Sequence, residues 1–294
     1  MAEARVAVIG GSGFYALEGL TDKREVSCPT PFGDPSDAIM LGTLGSVPIA
    51  FLPRHGKGHR LLPSEVPARA NIYALKTLGV ERIISINAVG SLREEIAPRH
   101  LVVPDQLIDR TVMRAGSFFG GGLVAHVSLA DPFCPELSRL LSMGAKETGA
   151  PVHEGGTAVI IEGPAFSTRA ESNVYRSWGA DLIGMTTLPE AKLAREAGIC
   201  YAALACVTDY DVWRELDATV SVEMILRNQE WNVENARTAV VRTISALPAE
   251  RGCGCASALR DALVTPLDLV PAETKRALAA IIGNASPGSD ESDG

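Results

Sequence analysis

Asp209 and Asp211 stand two positions apart in Thr208-Asp209-Tyr210-Asp211-Val212-Trp213, directly after the apolar run Cys200–Val207. A carboxylate accepts from an amino group, and a protonated one donates to a ring nitrogen; a pocket raises its pKa toward that second role. Such a pair beside aromatics reads as a heterocycle site, a metal site or a solvated turn. A hard cation wants more oxygen ligands than this stretch offers, which disfavours the metal. A second chemistry-bearing stretch is Pro53-Arg54-His55-Gly56-Lys57-Gly58-His59-Arg60, which leaves the apolar run Val47–Leu52. The arginine fork and the imidazoles suit an oxyanion. Concentrating basic residues at one strand end of an acidic chain favours an anion site over a solvated patch.

Three further strand ends carry small or donor residues. Asn87-Ala88-Val89-Gly90-Ser91 follows Ile83–Ile86, and Gly184-Met185-Thr186-Thr187 precedes a helix opening near Pro189. The last is Gly10-Gly11-Ser12-Gly13 after Val6–Ile9. Ligands in open α/β sheets bind beyond the carboxyl ends of strands, and helix N-termini favour negative charge. Gly11 to Ala16 satisfies the loose dinucleotide fingerprint, yet Gly19, Leu20 and Thr21 cut the following helix short. No acid ends the next strand near Glu25–Cys28. The fingerprint therefore fails, and the glycines read as one wall of a phosphate site.

The elements that must position these residues are short apolar runs separated by helical stretches. Val6–Ile9, Val47–Leu52, Ile83–Ile86, Leu101–Val103, Thr157–Ile161 and Cys200–Val207 read as strands. Ser64–Leu78 reads as a helix capped by Ser64 with Pro67 in its first turn, and Pro189–Ala197 as another. The fold class is α/β, one domain over residues 1–282 with a sheet covered on both faces. Residues 256–282 carry apolar positions for a C-terminal helical extension, packed on its own subunit or closing a neighbour's pocket. Residues 283–294 are expected to be a disordered acidic tail, and the sequon at Asn284 to carry nothing.

The 294 residues are 46% hydrophobic and carry a net charge of −8, an ordinary globular composition that argues against a nucleic-acid partner. No apolar run reaches the ~18 residues of a membrane span, and no signal-peptide pattern opens the chain, so the expectation is a cytoplasmic protein without membrane contact. Cys28, Cys134, Cys200 and Cys206 are scattered along the chain. Cys253-Gly254-Cys255 is a poor zinc signature without a second pair, and reads as free thiols in preference to a local disulfide. No metal site is expected.

Taken in order, the segments Ile9 to Gly13, Arg54 to Gly56, Gly90 to Glu95, Asp105 to Thr111, Glu162 to Pro164, Phe166 to Glu171, Met185 to Thr187 and Thr208 to Asp211 resemble the trimeric nucleoside phosphorylases over residues 5 to 245. The resemblance implies a single-domain nucleoside phosphorylase fold with a twisted mixed β-sheet flanked by helices, a homotrimer or a dimer of trimers, and no cofactor. The partners it implies are a small-molecule nucleoside and inorganic phosphate, the latter a co-substrate. Phosphate would be held by Ser12, Arg54, His55, Asn87, Ala88 and Thr186. Met185 would lie against the ribose and Phe166 on the purine, while Val222, and His126 from a neighbouring subunit, would line the 5′ pocket, with His59 in the sugar pocket. Asp209 and Asp211 would be catalytic, serving N7 and the 6-amino group.

Members acting on 6-oxopurines typically carry Glu at the position of Ser167 and Asn at that of Asp209. The carboxylate pair therefore implies a 6-amino base, since a carboxylate facing a carbonyl oxygen is left unpaired. The implied reaction is phosphorolysis of a 5′-methylthio adenine nucleoside to adenine and 5-methylthioribose 1-phosphate, with adenosine as a further substrate. The alternatives are a phosphorylase of broader or 6-oxopurine specificity (inosine, guanosine or methylthioinosine), hydrolysis of the same bond, and a catalytically silent nucleotide- or phosphate-binding protein. Cys253-Gly254-Cys255 also resembles a Cys–any–Cys near the C-terminus of heat-stable members.

Overall fold

Long apolar runs with no alternation belong to strands covered on both faces, and the centre of this protein is built from them. The computed structural model describes residues 2–14, 17, 19–214 and 222–283, without the side chains of 222–227. The tail from Asn284, the residues Tyr15 and Ala16 of the fingerprint, and the side chain of Val222 lie outside the described residues. In chain order the elements are β1 (Val6–Gly10), β2 (Leu20–Val26), β3 (Ile39–Leu44), β4 (Val47–Pro53), α1 (Ala68–Thr77), β5 (Arg82–Ser91), β6 (Leu101–Val103) and β7 (Gln106–Arg110). Then come α2 (Pro135–Lys146), β8 (Val152–Glu154), β9 (Thr157–Ile161), α3 (Arg169–Ser177), β10 (Leu182–Gly184), α4 (Thr187–Glu196), β11 (Cys200–Asp209), α5 (Val222–Ser245), α6 (Ala272–Ala277) and α7 (Ala279–Ile282).

Among the described residues the strands form one mixed sheet. β4, β1, β5 and β11 run parallel, and β2 and β3 extend one edge antiparallel. Every residue of β1 and β11 is buried, whereas β2 is almost wholly exposed. One core layer packs α1, α4 and residues beyond 258 on one face of the sheet. A second packs α2 and α5 on the other.

β5 decides where the site lies. Its first half pairs with β1 and β11; its end, Gly90 and Ser91, also pairs antiparallel with β10. The sheet therefore parts around residues 87–91, with β10 on one side and β11 on the other. The strand does not stop at Ile86 as its composition suggests, and β11 likewise runs on to Asp209. Asn87, Ala88, Val89 and Gly90 stay in register with Ala205, Cys206, Val207 and Asp209, so available backbone partners override weak strand propensity. The ladder slips by one residue between Val207 and Asp209.

α1 starts at Ala68 with Pro67 at its N-cap, and Ser64 does not cap it. A proline drives the preceding residue out of the helical region, so the helix cannot begin before it. The stretch 256–282 is helical mainly from Ala272; Pro266 and Pro271 interrupt the rest. Its Leu259, Leu278 and Ile281 join the core, and His126 N–H donates to Ala262 O at 2.8 Å, so the extension packs on its own subunit.

Candidate functional site

The first glycines are required by close approach. A Cβ on Gly10 would fall 2.0 Å from Phe14 O, and one on Gly11 would fall 2.4 Å from Ile86 O and 3.0 Å from Arg54 Nη1. With no side chains there, the β1 turn lies directly against the Arg54 guanidinium. Arg54 itself is buried, not a free surface cation. Its Nε and Nη2 meet Glu190 at 2.5 and 3.0 Å, Nη2 reaches Ser85 Oγ at 2.6 Å, and Nη1 donates to Ile86 O at 3.0 Å. Burial works against its charge, and Glu190 more than restores it. Those four bonds leave one Nη1 hydrogen on the side of the Gly11 turn.

His55 is buried beside this pair. Burial, then the Arg54 charge, pulls its pKa down to about 4, so the ring is neutral near pH 7. Nδ1 lies 2.8 Å from Leu61 O. A carbonyl only accepts, so Nδ1 carries the hydrogen and Nε2 is an acceptor. His59 stacks on this ring with centroids 4.2 Å apart. Arg60, which also lines the cavity, donates from Nη2 to Ser36 O at 2.6 Å and lies 3.8 Å from Asp37, while the backbone N–H of Lys57 donates to Asp37 Oδ2 at 2.6 Å.

Asp209 and Asp211 occupy the end of β11 and the turn after it. Asp211 adopts a positive φ of 54°, and its N–H donates to Asp209 Oδ1 at 2.8 Å. Trp213 Nε1 donates to Ser91 O at 2.8 Å, which ties the turn to β5. Burial raises both carboxyls, Asp211 to about 6. Thr208 Oγ1 lies 2.7 Å from Asp209 Oδ2 and 3.1 Å from Val89 O. One hydroxyl hydrogen cannot serve both. With Asp209 ionised, Thr208 donates to it; with Asp209 protonated, Oδ2–H donates to Thr208 and Thr208 to Val89 O. The Ser172 hydroxyl faces Asp211 from outside hydrogen-bond geometry, and Asp211 Oδ2 is buried without a partner. Ser167 Oγ is likewise buried and unpaired. Thr168 places it there, capping α3 through a reciprocal pair with Glu171 immediately after Phe166-Ser167.

These groups share one cavity of about 320 Å³. Ser12, Arg54, His55, His59, Ala88, Phe166, Ser167, Met185, Thr186, Asp209 and Asp211 all line it. Phe166 remains 47% exposed, an apolar face open to the cavity mouth. Asn87 lies off this wall: its amide donates to Ser85 O and Oγ, and its Oδ1 accepts from Thr186 Oγ1 at 3.1 Å. It supports Thr186 from beneath, where the sequence suggested direct contact. His126 is exposed and stands apart from the cavity. The backbone of Val222 opens α5.

Several organising residues escape a reading of strand ends. Glu190 gathers Arg54, Ser85 and Tyr201 OH around one carboxylate. The buried Arg114 donates to the carbonyls of Glu162, Met185 and Leu188, joining the loops after β9 and β10. On α5, Asn228 and Asn232 donate to Thr208 O and Val207 O, and Gln229 to Ser12 O. Three amides close together along α5, at Asn228, Gln229 and Asn232, were the available signal. The cysteines also need correction. Cys134 and Cys200, far apart in sequence, lie against Cys253 and Cys255, so the Cys–Gly–Cys does have a second pair.

Residues 5–245 match the phosphorylase superfamily. Over 283 residues the chain is 56% identical to the S-methyl-5′-thioadenosine phosphorylase of Geobacter sulfurreducens, covering 96% of this chain and 99% of that protein. A solved methylthioadenosine phosphorylase sourced from an Antarctic soil metagenomic library shares the fold at TM-score 0.91 and 51% identity, covering 96% and 99% of the two chains. The methylthioadenosine phosphorylase of Schistosoma mansoni in complex with adenine matches at TM-score 0.79 and 35% identity, over 96% and 98%. That enzyme is also called an adenosine/methylthioadenosine phosphorylase.

Proposed function

The chain belongs to the phosphorylase superfamily, and from that premise we propose that it cleaves S-methyl-5′-thioadenosine with inorganic phosphate, releasing adenine and 5-methylthioribose 1-phosphate. Adenosine is a second substrate on this reading, in keeping with the double name of the Schistosoma enzyme. The observation that carries the proposal is the raised Asp209–Asp211 pair in the same cavity as Arg54, His55 and Thr186.

A phosphate oxygen attacks C1′ as the C1′–N9 bond breaks, and the bonding pair passes to the purine. The anion faces the positive charge that develops on the ribose. The negative charge on the purine is relieved at N7 by the proton of Asp209, whose carboxyl burial raises above its ordinary range. Asp211 Oδ2, buried and unpaired, accepts from the 6-amino group; the Ser167 hydroxyl offers a further polar contact to the base, and Phe166 stacks on it. A 6-oxo base would set its carbonyl against Asp211 and leave both acceptors unpaired. Phosphate is held by the Ser12 turn, the remaining Nη1 hydrogen of Arg54, the Ala88 backbone and Thr186. Nε2 of neutral His55 accepts a hydrogen bond from the P–OH of monoprotonated phosphate. Met185 lies against the ribose. Holding both reactants in one cavity removes the entropy of their encounter.

Phosphate is a co-substrate in this scheme, and no step calls for a resident cofactor. Residues 1–282 act as one catalytic domain, in a homotrimer or dimer of trimers where Val222 and a neighbouring subunit's copy of the exposed residue His126 serve the 5′ end of the substrate. Among the described residues no helix is long and apolar enough to cross a membrane, and a cytoplasmic enzyme is consistent with that.

The test is a panel of methylthioadenosine, adenosine and inosine, each with and without phosphate, read as base released. Phosphate-dependent adenine release, fastest from methylthioadenosine, is expected. Release without phosphate indicates hydrolysis, inosine as best substrate defeats the carboxylate argument, and no release at all makes the protein a silent binder.

A further inference from the structure

Cys134, Cys200, Cys253 and Cys255 take no part in the reaction above, yet the fold gathers their sulfurs. All four Sγ atoms lie within 4.8 Å of one another, and Cys200 Sγ is 3.3 Å from Cys253 Sγ. Three of the residues are buried and Cys253 is half-buried. They arrive from separate elements: Cys134 precedes α2 at its N-cap position, Cys200 opens β11, and Cys253 and Cys255 flank Gly254 at a single 3₁₀ turn beyond α5.

Sulfurs at ~2.3 Å from a tetrahedral zinc sit roughly 3.8 Å from one another, so this spacing surrounds a single ion. An iron–sulfur cluster interposes several metals and sulfides between its cysteines and needs a wider cage. Four thiolates with no oxygen donor among them select a soft or borderline cation over calcium or magnesium.

The surroundings favour the negative charge such a site carries. Cys134 sits at the N-terminus of α2, where the helix leaves backbone N–H groups without intrahelical partners, and Arg195 Nη1 lies 4.0 Å from Cys255 Sγ. The turn is also shaped from outside. Gly198 has φ +65°, and a Cβ there would come within 3.3 Å of Ala256 O, while Arg251 donates to Gly198 O at 2.9 Å.

We propose that Cys134, Cys200, Cys253 and Cys255 form a closed tetrathiolate site for one zinc ion, stapling the segment beyond α5 to α2 and to the start of β11. All four positions are protein ligands, so the ion is structural. It lies at the opposite end of β11 from Asp209, roughly 30 Å along the strand. Binding releases the thiol protons to solvent and involves no redox change.

The experiment uses the full chain, purified under reducing conditions without chelator, with metal content measured by mass spectrometry. Metal-stripped protein is then titrated with cobalt. One zinc per chain is expected, with a thiolate-to-cobalt charge-transfer band and the strong visible bands of tetrahedral cobalt. Cys253→Ser, at the half-buried position, should lower zinc content at least tenfold and abolish those bands; Cys255→Ser should do the same where it folds. Cys206→Ser, buried in β11 outside the cluster, should leave both unchanged. Reduced wild-type chain that takes up neither zinc nor cobalt overturns the site, whether its thiols are then found free or paired as disulfides.

Discussion

Glu190→Gln tests the physical account of the phosphate wall, because it removes the one full charge that compensates Arg54. Both side chains are 1% exposed. The carboxylate accepts two bonds from Arg54 and one each from Ser85 and Tyr201, the last at 2.9 Å. Gln keeps the volume but turns an N–H₂ toward groups that donate. Removing one partner of a buried pair costs roughly 3–5 kcal/mol, since the other charge stays buried and uncompensated. At about 2 °C per kcal/mol for a large domain, Tm should fall by about 6–10 °C in buffer free of phosphate and sulfate. Bound phosphate supplies the missing negative charge beside Arg54. It should therefore raise Tm further in the variant than in wild type, where saturation to 100 times Kd is worth ~2.7 kcal/mol. Differential scanning fluorimetry across a phosphate titration reads both effects. A variant with wild-type Tm, or with a phosphate shift no larger than wild type's, would refute the claim that Glu190 and phosphate share Arg54.

The remaining predictions concern the carboxylates and the strand that passes them. Asp211 titrates near 6 in the folded protein, above its unfolded value, so the native state binds the extra proton and stability falls as pH rises from about 4 through 6. Asp211→Asn should therefore raise Tm at pH 8, by up to roughly 3 kcal/mol of stability, and not at pH 4; equal gains at both would contradict it. Because the ionised form accepts the 6-amino group, wild-type kcat/KM for methylthioadenosine should also decline below about pH 6. Asp209→Asn should lower kcat ~10²–10⁴-fold while changing KM little, in steady-state assays; unchanged kcat would remove Asp209 from its role. Gly90→Ala would put a Cβ 3.0 Å from Asp209 Oδ1 and from Ile183 Cγ2, so kcat/KM should fall at least about tenfold. Wild-type kinetics in that variant would show that the turn can yield.

Much of the site could be found along the chain because each of its loops continues an apolar run. Ser12, Arg54, Thr186 and Asp209 all follow buried strand segments, and that adjacency is a local property of sequence. Strand limits were less legible. Asn87 to Gly90 look like a loop by composition, but parallel partners on β11 extend β5 through them. Ser64 looked like a cap until Pro67 excluded the turn it would have opened. Arg114 and the amides of α5 were not found, since their partners are backbone carbonyls, which every residue carries.

By itself the sequence determined which groups are available and the strand end to which each is attached, since both depend only on residue type and near neighbours. Tertiary structure decided what those groups are once folded. Arg54 meets Glu190 across 136 positions, His55 becomes a neutral acceptor, and Cys134 and Cys200 join Cys253 and Cys255. Charge, proton occupancy and ligand sets depend on burial and on distances through space, and neither quantity is written in sequence separation.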